Sequence, residues 1–255
     1  MDKKIITENF SKNAASYDEH SKIQKKCAEI LIASGKKNEK IHNILEIGCG
    51  TGAYTRLLRE EYGQATIKAV DISEKMIRRA NRKISDKKVQ FMVSDGEKIF
   101  FKEKFDLVTS NASFQWFGDI GGALGRFSEF ITDEGSLSFS IYGPGTFREL
   151  KKVFRMHFRQ DQFLSSDRFV PLEGIRHLLR RHFAKVKIKK RYFTSTFLNL
   201  TDFFMDIKKS GARGEGARGE FFFGKCGLEN MEKIYNSEYG RIIATHEVYF
   251  CEARK

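Results

Sequence analysis

The segment LEIGCGTG (Leu45–Gly52) limits what this chain can fold into more than any other stretch. A short apolar run enters three glycines at alternate positions, Gly48, Gly50 and Gly52, and AYTRLLREEYG (53–63) follows with helical periodicity and a Gly stop. Glycines in that position allow a tight turn and let the backbone approach a ligand closely. The next apolar run, ATIKAVD (65–71), ends in Asp71, 19 residues after Gly52. A carboxylate there can accept hydrogen bonds from both hydroxyls of a ribose. A Gly-rich strand–helix turn followed by an acid at the end of the second strand predicts a nucleoside cofactor.

The same alternation continues along the chain. SEKMIRRANRKI (73–84) reads as a helix with Ser73 as N-cap, and VQFMVSD (89–95), KFDLVTS (104–110) and SLSFSIY (136–142) read as strands. DIGGALGRFSEFI (119–131) reads as a helix that its three glycines weaken. Alternating strands and helices with near-continuous apolar strands predict a parallel sheet covered on both faces. After Tyr142 the expectation is helix within 143–170, helix over 171–183, strand over 184–193, helix over 198–211, helix near 229–239 and a final strand over 241–253. Helices at 5–34, 143–170 and 198–238 exceed what such a sheet needs. They are expected to gather as a cap over its carboxyl edge, where open α/β sheets bind ligands. The chain, residues 1–255, is read as a single domain.

Composition adds limits. Hydrophobic residues make up 40% and charged residues 31%, no apolar run reaches the roughly 18 residues of a membrane span, and the N-terminus carries no apolar signal core. Cys27, Cys49, Cys226 and Cys251 form no C-x-x-C pair, so a reduced, cytoplasmic setting is expected. His177 and His182, five apart, fall on different helix faces, which argues against zinc; no metal is expected. The net charge of +13 suits nucleic acid, an anionic membrane or an acidic protein. The Gly211–Glu220 duplication GARGEGARGE is expected to be a mobile, exposed loop.

Dinucleotide enzymes use G-x-G-x-x-G, whereas this loop spaces its glycines G-x-G-x-G behind an acid, Glu46. The E-x-G-x-G-x-G pattern resembles motif I of the class I S-adenosylmethionine (SAM) methyltransferases. The resemblance implies a Rossmann-like, mostly parallel seven-stranded sheet whose last strand is antiparallel. It also implies roles: Glu46 near the methionyl group, Gly48, Gly50 and Gly52 along the cofactor, Asp71 on the ribose, Asp95 with Gly96 at the adenine amino group, and Ile72 and Met76 on the adenine face.

A narrower resemblance runs nearly end to end. FSKNAASYDEHSKIQ (Phe10–Gln24), SNASFQWFGD (Ser110–Asp119), YGPGTFREL (142–150), RFVPLEGI (168–175) and IKKSGARG (207–214) are similar to segments of the BioC family, the malonyl-acyl-carrier-protein O-methyltransferases of biotin biosynthesis. What this implies is methyl transfer from SAM to the free carboxylate of malonyl-phosphopantetheine on an acidic acyl carrier protein. That carboxylate is ionised near neutral pH, its ordinary pKa being about 4, so no general base is required. Tyr17, His20 and Gln24 lie at i, i+3 and i+7, one face if the helix is continuous, and are expected to form a lid. Asn111 would face the methionyl end of SAM, and Gln115 and Trp116 the acceptor side. Tyr142 is assigned to the substrate, and Arg148, Lys151, Lys152, Arg155, Lys208, Lys209 and Arg213 to the carrier. A monomer is expected, without nucleic acid or membrane partners. The alternatives are a SAM enzyme for another small molecule, an RNA methyltransferase, or a SAM-binding regulator. Against the second, an exocyclic-amine enzyme would want N-P-P-[YF] where this chain has SNAS.

Overall fold

The computed structural model describes residues 2–35, 41–159, 163–211 and 224–255. Arg213 and nearly all of GARGEGARGE lie outside the described residues. The chain begins with helices α1 (Lys3–Asn13), α2 (Tyr17–His20) and α3 (Lys22–Ser34). β1 (Asn43–Ile47), α4 (Ala53–Glu61), β2 (Thr66–Asp71), α5 (Glu74–Lys83) and β3 (Val89–Val93) form the first half of the sheet. β4 (Phe105–Asn111), a 3-10 turn (Phe114–Trp116), α6 (Ile120–Phe130) and β5 (Ile131–Tyr142) follow. The remainder is α7 (Arg148–Phe158), a second 3-10 turn (Ser165–Arg168), α8 (Leu172–Arg180), β6 (Lys185–Phe197), α9 (Leu200–Lys209), α10 (Lys225–Tyr239) and β7 (Ile242–Arg254).

The seven strands order as β3-β2-β1-β4-β5-β7-β6. The first five pair in parallel, and β7 inserts antiparallel between β5 and β6. β2 and β4 leave β1 on opposite sides, which opens a crevice at the carboxyl ends of β1 and β4, the place where such sheets bind ligands. Alternate residues of one strand feed separate cores. Leu45 and Ile47 join Phe114, Phe127 and Phe139 on one face. Ile44 joins Ile67, Leu107, Leu58 and Leu31 on the other, as expected of strands covered on both sides. A third cluster, with Leu150, Phe154, Phe203, Met231 and Tyr235, binds α7, α9 and α10 to the start of β7.

Three expected boundaries move. β5 begins at Ile131, directly after α6, because fully buried Ile131 pairs with Phe105 across a register shift. β6 runs to Phe197, since Thr194–Phe197 keep pairing with Ile242–Thr245 until Asn199 caps α9 by accepting from the Asp202 amide at 2.8 Å. The N-terminal helix is not continuous. It breaks at buried Ser21 (φ −102°, ψ 36°), so Tyr17 and His20 sit on α2 and Gln24 on α3, and the three do not share one helix face.

Candidate active site

The glycine loop leaves β1 with Gly48, Gly50 and Gly52 all at positive φ (74°, 55° and 83°), a region that carries little penalty only for glycine. The Gly48 and Cys49 amides donate to the Val70 carbonyl at 2.8 and 2.9 Å, which ties the loop to the end of β2. There Asp71 accepts from the Gly50 amide through Oδ2 and from the Ser73 amide through Oδ1, both at 2.8 Å. Burial raises the Asp71 carboxyl above its ordinary range, and the two amides oppose that shift. Ser73 caps α5 as expected, accepting from the Met76 amide at 3.3 Å.

Gly48, Gly50, Asp71, Ile72, Met76, Asp95, Gly96 and Asn111 line one small cavity of about 80 Å³, which α1 and Tyr17 cover. Two sequence assignments change here. Gly52 does not line it; a Cβ at Gly52 would stand 3.2 Å from both Ala80 and Ile84, so this glycine lets α4 pack on α5. Glu46 lies under the loop rather than on the cavity wall, 1% exposed, and its Oε2 has no partner among the described residues. Burial, with a smaller contribution from the Asp71 charge, pushes its carboxyl up to about 8.

The lid is fastened by charge. Lys3 Nζ donates to Asp95 at 2.5 and 2.6 Å and lies 2.7 Å from Glu97. Glu97 also accepts the Gly118 and Asp119 amides at 3.0 and 2.8 Å. Burial works against its ionisation, but Lys3 and these amides outweigh it and hold Glu97 below the usual carboxyl range. Asp18 accepts from Thr51 in the loop at 2.5 Å and pairs with Lys83 on α5. Neither Glu97 nor Asp18 was singled out from sequence. Asp18 lies inside the SYDEH motif beside Tyr17, and Glu97 two residues after Asp95, so proximity to those residues was the available signal.

A second cavity of about 610 Å³ opens beside the first, walled by Phe147, Phe154, Phe169, Phe197, Phe203 and Phe204. His20, Gln24, Trp116, Tyr142 and Lys208 line it as well. His20 Nδ1 lies 2.8 Å from Asp206 Oδ1, which joins α2 to α9 at the cavity wall. Trp116 is the residue that lines both cavities. Its ring packs edge-on against Phe10, on the small cavity, and against Phe169, on the large one, with centroids 6.1 and 5.8 Å apart. Asn111 donates to the Gln24 carbonyl at 2.9 Å and accepts from Ser140 at 2.7 Å, so it fixes α3 against β4 and β5.

Gln115 corrects the expectation of an acceptor-side amide. It lines neither cavity and folds back on its own turn, donating to the Ala112 carbonyl at 2.6 Å. The proposed carrier cations also sort out. Arg148 pairs with Glu149, Lys151 with Asp167 and Lys152 with Glu238, whereas Lys208 stands on the large cavity itself, beside Lys22, which the sequence reading did not mark. His246 and Ser166 line that cavity too and were not anticipated; each sits in an unremarkable strand or turn pattern that carries no signal.

The small cavity suits a nucleoside with a cationic amino-acid arm. It offers a carboxylate in a glycine cradle, an apolar flank of Ile72 and Met76, and nearby an uncompensated buried carboxyl, Glu46. A methyltransferase-domain family model matches residues 44–135. Malonyl-[acyl-carrier protein] O-methyltransferase of Acetivibrio thermocellus is 31% identical over 100% of this chain and 95% of its own length. The protein of that name from Priestia megaterium is 34% identical over 83% of this chain and 82% of its own. Among solved structures, the YcgJ protein of Bacillus subtilis superposes with a TM-score of 0.64 at 13% identity, covering 90% of this chain and 99% of that one. Haemonchus contortus phosphoethanolamine N-methyltransferase 2, solved with SAM, superposes at 0.61 with 18% identity, covering 96% and 57%. These two likenesses concern the fold.

Proposed function

The chain belongs to the malonyl-[acyl-carrier protein] O-methyltransferase family, and on that premise we propose that it transfers a methyl group from SAM to the free carboxylate of malonyl-acyl carrier protein, an early step of biotin synthesis. The observation that carries this reading is Trp116 standing between the two cavities, with the glycine loop and Asp71 on one side and an aromatic chamber on the other. Bound SAM supplies an electrophilic methyl group on a sulfonium.

The chain's own residues then have separable tasks. Asp71 takes the ribose hydroxyls with the lone pairs that Gly50 and Ser73 leave free. Ile72 and Met76 flank the adenine, and Asp95 and Gly96 meet its amino edge once Lys3 yields. Glu46, beneath the loop, gives up its proton as the cationic arm binds and then offsets the ammonium. The acceptor is already a carboxylate, so nothing must remove a proton from it. Charge fades as an anion meets a cation, and a chamber walled by phenylalanines favours that loss by keeping water out. Tyr17, on the small cavity, and Gln24 and Tyr142, on the large one, orient the acceptor without the cation that would blunt its attack; His20 braces α2 through Asp206. Lys22 and Lys208, with Lys209 and Arg155, form the basic approach for the carrier. One cytoplasmic domain with a helical cap is part of the proposal, supported by four cysteines that form no disulfide and by a third core cluster beneath the cap.

Incubation with methyl-labelled SAM and either malonyl-acyl carrier protein or bulk RNA tests the reading. Label is expected in the carrier as a base-labile ester; label in RNA alone would overturn it.

A further inference from the structure

The large cavity is too big for its presumed guest. A malonyl group has few atoms, yet the chamber encloses about 610 Å³. Two buried polar atoms on its lining have no hydrogen-bond partner among the described residues: His246 Nδ1 on β7 and Ser166 Oγ in the second 3-10 turn. An unpartnered buried polar group costs roughly 1–3 kcal/mol, so such groups are normally satisfied by something. Ser166 is 3% exposed. The His246 ring is held between Tyr142 and Phe147, with centroids 5.8 and 5.0 Å away.

The surroundings define what these atoms can bind. Burial pushes the His246 imidazole down to about 4, so it is neutral at working pH. Its charged neighbours are already engaged, Asp206 on α9 by His20 and Glu149 on α7 by Thr245 and Arg148. The Phe193 backbone on β6 favours a proton on the ring. With Nδ1 unpartnered among the described residues, we assign the ring proton to Nε2, which leaves a lone pair on Nδ1. A lone pair repels a carboxylate and a thioester carbonyl, the only polar groups of a malonyl thioester's acyl end. It accepts an N–H. The Ser166 hydroxyl can donate to a C=O or accept from an N–H.

We infer that His246 and Ser166 recognise the secondary amides of the thioester arm, His246 accepting an amide N–H, while the acyl end lies toward Trp116 and Tyr142. A pantetheine arm alternates short alkyl stretches with amides, and the chamber wall sets phenylalanines among polar side chains, of which His246 and Ser166 carry buried atoms without partners among the described residues. The inference rests on the carboxyl-methylation reading and deepens it, by assigning specificity for the arm to residues that no motif marks.

The test compares malonyl-pantetheine thioester with a malonyl S-alkyl thioester that has no amide, using the full chain. His246→Phe keeps the aromatic packing, and Ser166→Ala removes only a hydroxyl. Each is expected to raise KM for the pantetheine thioester about three- to tenfold, the range of one hydrogen bond, with kcat and all parameters for the alkyl thioester unchanged. His246→Asn, whose amide oxygen reaches the Nδ1 position, should recover part of the loss. Equal losses on both thioesters, or none on the pantetheine one, would overturn the inference while leaving carboxyl methylation intact. Methylation of neither thioester by the unaltered protein would overturn the functional reading itself. Should His246→Phe not fold, as judged by its SAM binding, Ser166→Ala decides alone.

Discussion

Gly48 and Glu46 show how single residues set the cofactor side. A Cβ at Gly48 would fall 2.2 Å from Ser113 Oγ and 2.5 Å from Ser113 Cβ, at a φ of 74°. Gly48→Ala should therefore lower unfolding stability by about 1–3 kcal/mol in urea denaturation. By displacing Ser113 it should also weaken SAM binding at least about tenfold in calorimetry; unchanged affinity would mean the loop is not against the cofactor. Glu46 makes a pH prediction. Its folded pKa of about 8 exceeds the model-peptide value of 4.5, so the folded state holds the proton more tightly than the unfolded state. Its stabilising contribution is complete below the unfolded value and is lost as pH rises through the folded one. Glu46→Gln keeps the shape and abolishes the titration. Relative to that variant, the unaltered apoprotein should lose melting temperature between about pH 4.5 and 8; a constant difference would refute the assignment. The variant should bind SAM more weakly, since an amide does not offset an ammonium.

At the scale of elements, α1 is the part that must move. It covers a cavity of about 80 Å³ and is held by Lys3 on Asp95 and Glu97, by Ser11 on Ser73 at 2.8 Å and by Phe10 on Trp116. The Lys3 and Asp95 side chains are 26% exposed and that of Glu97 9%, but Glu97 keeps the Gly118 and Asp119 amides without Lys3, so the pairs contribute on the order of 1 kcal/mol. Lys3→Ala should thus barely change stability and speed SAM dissociation by about two- to fivefold, read by stopped-flow fluorescence of Trp116. An unchanged rate would remove α1 from the gate. The G-T-x-x-E-L segment behaves differently. Buried Glu149 accepts the Thr245 amide at 3.0 Å and the Thr245 hydroxyl at 2.7 Å, and Thr146 exchanges hydrogen bonds with the Glu247 backbone. This stretch, part of the family-like YGPGTFREL, anchors α7 to β7, next to His246.

For the whole molecule, many cations are neutralised in internal pairs, yet an excess of +13 remains, and its effect on an acidic carrier is long-ranged. Raising ionic strength from about 0.05 to 0.5 M should raise KM for malonyl-acyl carrier protein much more than for malonyl-pantetheine, because the Debye length shortens to a few ångströms; parallel increases would argue against electrostatic docking. The sheet was legible before folding because its signals are local: apolar runs of strand length, the Ser73 and Asp119 caps, and glycines that only a positive φ explains. Spacing marked Asp71, and the family resemblance marked Ile72, Met76, Asp95 and Trp116, as residues that the structure brings onto the cavities. The resemblance misplaced Gln115, which folds back on its own turn to Ala112, and Gly52, which makes room for Ala80 and Ile84 of a helix distant in sequence; the helix through Tyr17, His20 and Gln24 breaks at Ser21. Asp18, Glu97, Ser166 and His246 stayed hidden because their surroundings are set by residues distant in sequence. Lys3 meets Asp95 across 92 residues and His20 meets Asp206 across 186, and no window of sequence contains such pairs. The sequence by itself determined the strands, the glycine cradle and the kind of cofactor, since each follows from a few consecutive residues. Only the tertiary structure decided which polar atoms face the acceptor chamber and which cations remain outside internal pairs, because burial and partner choice are set by elements that meet only after the chain has folded.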